Sequence, residues 1–386
     1  MSTAREALET LRPTVAEIDV DAFARNVAAI RSKLPGHAKL IAVLKADAYG
    51  HGAVPLARRC ETEGVAMLAV ALLEEAQELR QSGVSLPILI LGPLQPQQVN
   101  VAVEAGFTLG IVGPTQLQDA CTLSSAARSV RIHLKLDSGM GRMGLVEADL
   151  DPAAVLLRNS PHVQVEAIYT HFANASDSRD GFTQRQIERF ERMLQRLEPA
   201  GVRAPLHHIA NSAATVRGVI GDSDFVRVGL SLYGGEPLDW EQSRLEPIMT
   251  WRTRIVRLKT LEAGEAVGYG TSFHTSRKSR IATLPVGYAD GYDRLLSNRG
   301  FVLIHGRRAP VVGRVSMDLV TIDVTDIPNA AVGDDVILLG RQGNGEISAE
   351  EIAQKTGTIS YEVFCNVSAR VARLYRSSVG MELRTR

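Results

Sequence analysis

The sequence has 386 residues with 43 basic and 43 acidic side chains, so its formal charge at pH 7 is zero. A 45% apolar and 22% charged composition excludes a disordered chain, and the length allows roughly two or three domains, each large enough to bury a core. Without net charge or a Lys/Arg block, binding to nucleic acid or anionic lipid is excluded as the main task.

The first thirty residues contain no continuous apolar core of a leader segment, and the longest apolar run, 65–73, is too short to cross a bilayer, so a cytoplasmic protein is expected. Cys60, Cys121 and Cys365 are odd in number and widely spaced, with no CxxC pair. Neither a disulfide framework nor a structural zinc site is expected, and the three are read as buried packing residues.

In chain order, Thr14, Ala16, Ile18 and Val20 alternate ahead of a helix over 21–34. Short runs rich in Val, Ile and Leu then return after helically spaced stretches, at 39–44, 65–72, 87–91, 107–112, 130–136, 163–170, 205–209 and 225–232. Between them, Ile187, Phe190, Leu194 and Leu197 fall on one helix face, and a helix over 74–80 ends near Gly83 as a C-cap. Eight βα units predict an N-terminal (β/α)8 TIM-like barrel over 21–240. A doubly wound open sheet is the competitor, because the same alternation builds it, and the even count favours closure.

After about residue 240 the pattern changes to strand-like segments at 251–258, 280–284, 301–305, 310–324 and 335–339, joined by Gly, Asn and Asp, with only 348–356 helical in spacing. This predicts a C-terminal mainly β domain over 241–386, with the lone strand inside 1–20 leaving the barrel to pair with it. No internal repeat is present.

Barrel chemistry sits at the C-terminal ends of strands. The first run delivers Lys45, followed by Ala46-Asp47-Ala48-Tyr49-Gly50-His51-Gly52. Desolvation at a buried strand end lowers an amine's pKa and suits it to forming a Schiff base; a lysine reaching solvent or pairing with Asp47 is the bland reading. The fifth run leads into Asp137-Ser138-Gly139-Met140-Gly141-Arg142-Met143-Gly144, a loop that either admits a ligand beside a fixed cation or simply turns. The sixth ends at His171. The last two end in Asn211-Ser212 and Arg227-Val228-Gly229-Leu230, where many barrels hold a phosphate.

These pieces combine as a lysine Schiff base to pyridoxal 5′-phosphate, with phosphate at the last two loops. With them, the chain resembles the alanine racemases, barrel-type pyridoxal phosphate isomerases of bacterial cell-wall metabolism. The matching stretches are 42–52, 135–144, 169–173, 208–213, 225–234, 267–270, 286–291, 313–318 and 359–362, in the family's order.

The resemblance implies that Lys45 holds the cofactor and is one catalytic base, and that Tyr269 is the other. Moving a proton from one face of Cα to the opposite face calls for a base on each side. It further implies that His171 with Arg227 tunes Tyr269, that Arg227 faces the pyridine nitrogen, and that Arg142 holds the phenolic oxygen. Tyr49, Asn211, Ser212, Gly229, Leu230 and Tyr361 would complete the cofactor site; Arg142, Tyr288, Met317 and Asp318 would contact substrate. In the family Tyr269 and Met317 reach the site from a partner subunit, so a homodimer acting on alanine to supply D-alanine for peptidoglycan is expected. Lys135 matches a lysine often carbamylated in the family. Ser316 stands where many members have Cys, and Ala372 where Pro is common in the Arg370-Val371-x-Arg373 segment.

Three other readings are available. A racemase of broader or different small amino acids such as serine would be revealed by turnover over a panel of amino acids. A single-domain pyridoxal phosphate carrier would not need the C-terminal 145 or so residues that contain Tyr269. A metal-dependent hydrolase using His171, His207 and His208 fails because adjacent residues alternate across a strand and cannot face one ion. No metal is expected.

Overall fold

The computed structural model describes residues 12–177, 179, 181–235, 245–378 and 380–384. The boundary expected between 240 and 241 lies outside the described residues, as do residues 1–11.

Strand β1 (Val15–Asp19) buries Ala16 and Ile18, pairs antiparallel with Met249–Arg254 and parallel with Ala372–Ser377, and so belongs to the C-terminal sheet. The helix that follows is Val20–Arg31, capped by the Asp19 carboxylate on Ala22 N–H at 2.8 Å.

Eight parallel strands come next, one in each apolar run: β2 (Lys39–Val43), β3 (Met67–Val70), β4 (Ile88–Ile90), β5 (Thr108–Ile111), β6 (Val130–Lys135), β7 (Val163–Tyr169), β8 (Leu206–His208) and β9 (Phe225–Val228). They are ordered β8-β7-β6-β5-β4-β3-β2-β9. β3, β4, β5 and β9 are buried along their whole length, as a parallel sheet covered by helices requires. What separates a barrel from an open sheet is contact between the end strands. Asp224 N–H donates to the His207 carbonyl at 2.9 Å and Arg227 N–H to the Ala210 carbonyl at 3.0 Å, drawing β9 against β8 and nearly closing the ring. The barrel expectation holds.

The C-terminal part is mainly β, with three departures from the segments read in the sequence. The run 251–258 is divided between Met249–Arg254 and Arg257–Leu261, which lie in different sheets, because buried Ile255 bonds Asp334 while Val256 turns to Thr283. The run 310–324 is not one strand: Arg307–Pro310 and Val320–Asp323 are separated by a loop in which Ser316 Oγ donates to the Leu319 carbonyl at 2.8 Å and accepts from its N–H at 3.2 Å. A helix at Ser360–Asn366 adds to Ala349–Thr356, so 348–356 is not the only helical segment. Cys60 and Cys121 are buried, but Cys365 is exposed.

Arg373 fastens the two parts together at the barrel mouth. Its buried guanidinium donates to the Gly50 carbonyl from Nε at 3.1 Å and Nη2 at 3.0 Å, and also to carbonyls of Val367, Ser368 and Val371. Among the described residues no helix is long and apolar enough to cross a membrane.

Candidate active site

Lys45 follows β2 at the open mouth of the barrel, where the single chain leaves it exposed. Its Nζ has no hydrogen-bond or ion-pair partner among the described residues; surrounding protein first, and then the Arg142 cation, lower its pKa. The pairing with Asp47 is not made: Asp47 Oδ1 accepts from Ala53 N–H at 2.7 Å. The four residues after Lys45 are left-handed, with φ of 53°, 52°, 54° and 54° at Ala46, Asp47, Ala48 and Tyr49. Each such residue costs about 1–2 kcal/mol. Glu75 holds the start of this turn through Ala46 N–H at 2.6 Å, and Arg373 holds its end at Gly50. The turn brings Tyr49 into the interior, against Tyr233 at 5.0 Å and Tyr361 at 5.7 Å between ring centroids.

Across the mouth, Arg227 on β9 is a buried cation with no carboxylate partner among the described residues. Nη1 donates to His208 Nδ1 at 2.7 Å and to the His208 carbonyl at 2.9 Å; Nη2 donates to the Thr170 carbonyl at 2.7 Å and to His171 Nδ1 at 3.1 Å. Because a guanidinium can only donate, both imidazoles present a bare Nδ1 to it and carry their proton on Nε2. Burial first, then the Arg227 charge, pushes both pKa values well down, so both rings are neutral. His208 passes the polarity on, with its Nε2 at 2.9 Å from His133 Nδ1, and burial pushes His133 down to about 3. Burial lowers Arg227 itself to about 10, which leaves it charged at neutral pH.

Lys135 ends β6, is buried, and lacks a hydrogen-bond or ion-pair partner among the described residues. Burial, with Arg142 and Arg227 next, lowers its pKa to about 8. Arg142 stands exposed on the following loop, which the Asp137 carboxylate shapes by accepting from Gly139 and Gly141 N–H at 2.9 and 3.1 Å.

The ends of β8 and β9 form a cradle. Ser212 Oγ accepts from Gly229 N–H at 2.9 Å in the chain alone; the Ser212 proton and the Leu230 N–H that opens the Leu230–Tyr233 turn are left for a ligand. A Cβ at Gly229 would lie 2.4 Å from the Tyr49 hydroxyl, so the absence of a side chain lets the phenol reach this loop. Burial raises the Tyr49 phenol, which stays protonated and able to donate. Asn211 Oδ1 caps the helix Ser212–Val216 on Ala214 N–H at 3.0 Å, so only its amide NH₂ is free for a ligand.

The remaining expected residues are not brought to Lys45 within one chain. Tyr269 is 74% exposed, and it has no hydrogen bond to the barrel among the described residues. Tyr288 and Met317 are also exposed and belong to one patch: Ser316 and Met317 carbonyls accept from Tyr288 and Ala289 N–H at 3.0 and 3.1 Å. Asp318 is paired with Arg370 at 2.7 Å. Among the described residues no group of His, Cys, Asp or Glu is arranged to hold a metal ion.

Models of the alanine racemase N-terminal and C-terminal domains match residues 18–237 and 248–375. The chain belongs to the alanine racemase family. It is 41% identical over 373 residues to an alanine racemase of Halothermothrix orenii, covering 96% of this chain and 98% of that one. An alanine racemase structure from Bacillus anthracis with bound L-Ala-P superposes with a TM-score of 0.90 at 36% identity, covering 97% and 98% of the two chains. One from Bartonella henselae with covalently bound pyridoxal phosphate gives 0.87 at 28% identity, covering 95% and 100%.

Within this member of the family, sequence reading weighed His208 only as a metal ligand and missed His133. The signal was available, because alternation along a strand puts His208 on the inner face opposite His207. The left-handed turn after Lys45 carried no such signal, since none of Ala46, Asp47, Ala48 and Tyr49 is glycine.

Proposed function

We propose that this chain is a pyridoxal 5′-phosphate-dependent racemase that interconverts L- and D-alanine as a cytoplasmic homodimer, supplying D-alanine for peptidoglycan. The observation that carries the reading is the Lys45 amine, unpartnered among the described residues, at the mouth of a barrel whose last two strand ends form a cradle of hydroxyl and N–H groups beside Arg227.

The donor set fits this cofactor: Ser212, Leu230, Tyr49 and Tyr361 would hold a phosphate, Arg142 a phenolate oxygen, and Arg227 a ring nitrogen. When bound, the cofactor supplies an electron-withdrawing ring that acidifies the amino acid's Cα–H. Arg227 cannot readily give up a proton, so it leaves that nitrogen unprotonated and limits the charge drawn into the ring, which suppresses transamination.

The chain's own groups move the proton. Lys45, its ammonium disfavoured by desolvation and by Arg142, is poised to accept a proton on one face. Tyr269 of the partner subunit serves the opposite face. The Nε2–H of His171, left free by the bond at Nδ1, would donate to the phenolate and lower the phenol's pKa. Tyr288 and Tyr361 narrow the entrance, and Met317 and Asp318 bound the substrate. In this reading residues 21–240 hold the cofactor and 241–386 supply the partner's second base.

Incubation with pyridoxal phosphate and L-alanine in heavy water tests it. Deuterium at Cα should appear together with the D form. Exchange without inversion would mean one working base and would overturn the two-base reading.

A further inference from the structure

Gln186 lies in the helix Phe182–Leu197 on the face that buries Phe190, Met193 and Leu197, a position where the helical spacing calls for an apolar side chain. It is 1% exposed. A buried amide is costly unless bonded, and this one is bonded at both ends to the mouth of the barrel. Oε1 accepts from Ala173 N–H at 2.9 Å, while Nε2 donates to the His171 carbonyl at 3.1 Å and reaches Ser138 Oγ at 3.5 Å. Ser138 Oγ lies 2.8 Å from Thr170 Oγ1, and the Thr170 carbonyl accepts from Arg227. A Cβ on Gly139 would lie 3.4 Å from Gln186 Cγ, so the start of the loop that carries Arg142 rests on the same side chain. His171 itself stands in a stretch without helix or strand. One amide therefore pins the backbone from the His171 carbonyl to the Ala173 N–H, directly after the Cα that carries the imidazole.

We propose that Gln186 is a positioning residue for racemisation. It sets the His171 ring against Arg227, and so sets the donor that tunes the phenol of the second base. The inference rests on the two-base reading above.

Two variants of the holoenzyme test it. Gln186→Met keeps the volume and removes the bonds. It should bind pyridoxal phosphate within about threefold of wild type by absorbance titration, yet lose about 10- to 100-fold in kcat, the scale of a misplaced catalytic group. The pH limb assigned to the phenol should move up, since a phenolate without its donor is less stable. Nitrogen NMR of the His171 imidazole should show the fixed Nε2–H form replaced by a mixture. Gln186→Glu, neutral when buried, can keep the two shorter bonds; its kcat should approach wild type at low pH and fall as pH rises through its raised pKa, when a carboxylate would face the His171 carbonyl.

Wild-type kcat and pH limb in Gln186→Met would overturn the proposal. So would losses in both variants that track only melting temperature or cofactor occupancy, with the pH limb unmoved. A Tyr269→Phe enzyme racemising at full rate is a different failure: it would remove the phenol from the mechanism while the imidazole spectrum still reported whether Gln186 orders His171.

Discussion

Lys135 makes the sharpest energetic test of the site. Its amine is buried, with cations as its strongest charged neighbours, and its pKa falls from the usual 10.5 to about 8. A fall of that size corresponds to roughly 3 kcal/mol of destabilisation when the group is charged. The folded-state pKa lies below the unfolded one, so the unfolded chain holds the proton more tightly. The whole penalty is therefore present below pH 8, relieved as pH rises from 8 towards 10.5, and absent above. Lys135→Met removes the charge and nearly keeps the volume. In cofactor-free, CO₂-free protein it should raise stability at pH 7 by up to about 3 kcal/mol, with the gain shrinking to the packing difference by pH 10.5. Urea unfolding midpoints at the two pH values measure this.

The same low pKa leaves about a tenth of the amine neutral at pH 7, which is the form that attacks CO₂. The reaction R–NH₂ + CO₂ → R–NH–CO₂⁻ + H⁺ would turn a cation that the Arg142 and Arg227 charges oppose into an anion that they favour. Bicarbonate should then stabilise the wild type and leave Lys135→Met unaffected. A variant that is equally destabilised at pH 7 and pH 10.5, or an equal response of both proteins to bicarbonate, would refute the electrostatic account.

Other outcomes follow from the geometry. Because Tyr269 stands in solvent in the single chain, Lys45→Ala and Tyr269→Phe proteins, each nearly inactive, should regain about a quarter of wild-type turnover when subunits are exchanged, since half of the dimers then hold one intact site; no recovery would place both bases in one chain. In Gly229→Ala the new methyl meets a Tyr49 hydroxyl held between Tyr233 and Tyr361. Overpacking of about 1–3 kcal/mol should weaken pyridoxal phosphate binding about 5- to 150-fold by fluorescence titration, and unchanged affinity would remove Tyr49 and Gly229 from the cradle.

The barrel was legible because its signal is repeated: each of β2 to β9 is a short apolar run after a helical stretch, and eight such runs restrict the topology. The β part was less so. Alternation from Trp251 to Ile255 slips phase at the Ile255-Val256 doublet, a one-residue cue for the change of sheet there, and in 310–324 Gly313 interrupts a run that Ser316 then turns. Lys45, Arg227 and Ser212 could be placed because strand ends are where barrels expose polar groups. Gln186 could not, since an isolated glutamine on a helix reads as surface until its neighbours in space are known. Tyr269 was reached through its motif alone, because nothing among the described residues draws it towards Lys45.

Four features that local rules do not explain gather at one end of the barrel. Four consecutive left-handed residues follow Lys45; among the described residues, buried Arg227 has no anion and buried Lys135 no partner; Gln186 occupies an apolar position. The left-handed turn and the two buried cations cost the folded chain free energy, whereas the Gln186 amide is bonded at both ends. A ligand that brings a phosphate and a phenolate to this mouth would meet the buried Arg227 and Lys135 cations beside the exposed Arg142, so its binding would return stability that the fold alone forgoes. The melting temperature should therefore rise steeply with pyridoxal phosphate, and rise less with inorganic phosphate, which can reach the Ser212–Leu230 cradle but offers nothing to Lys45, Arg142 or Arg227.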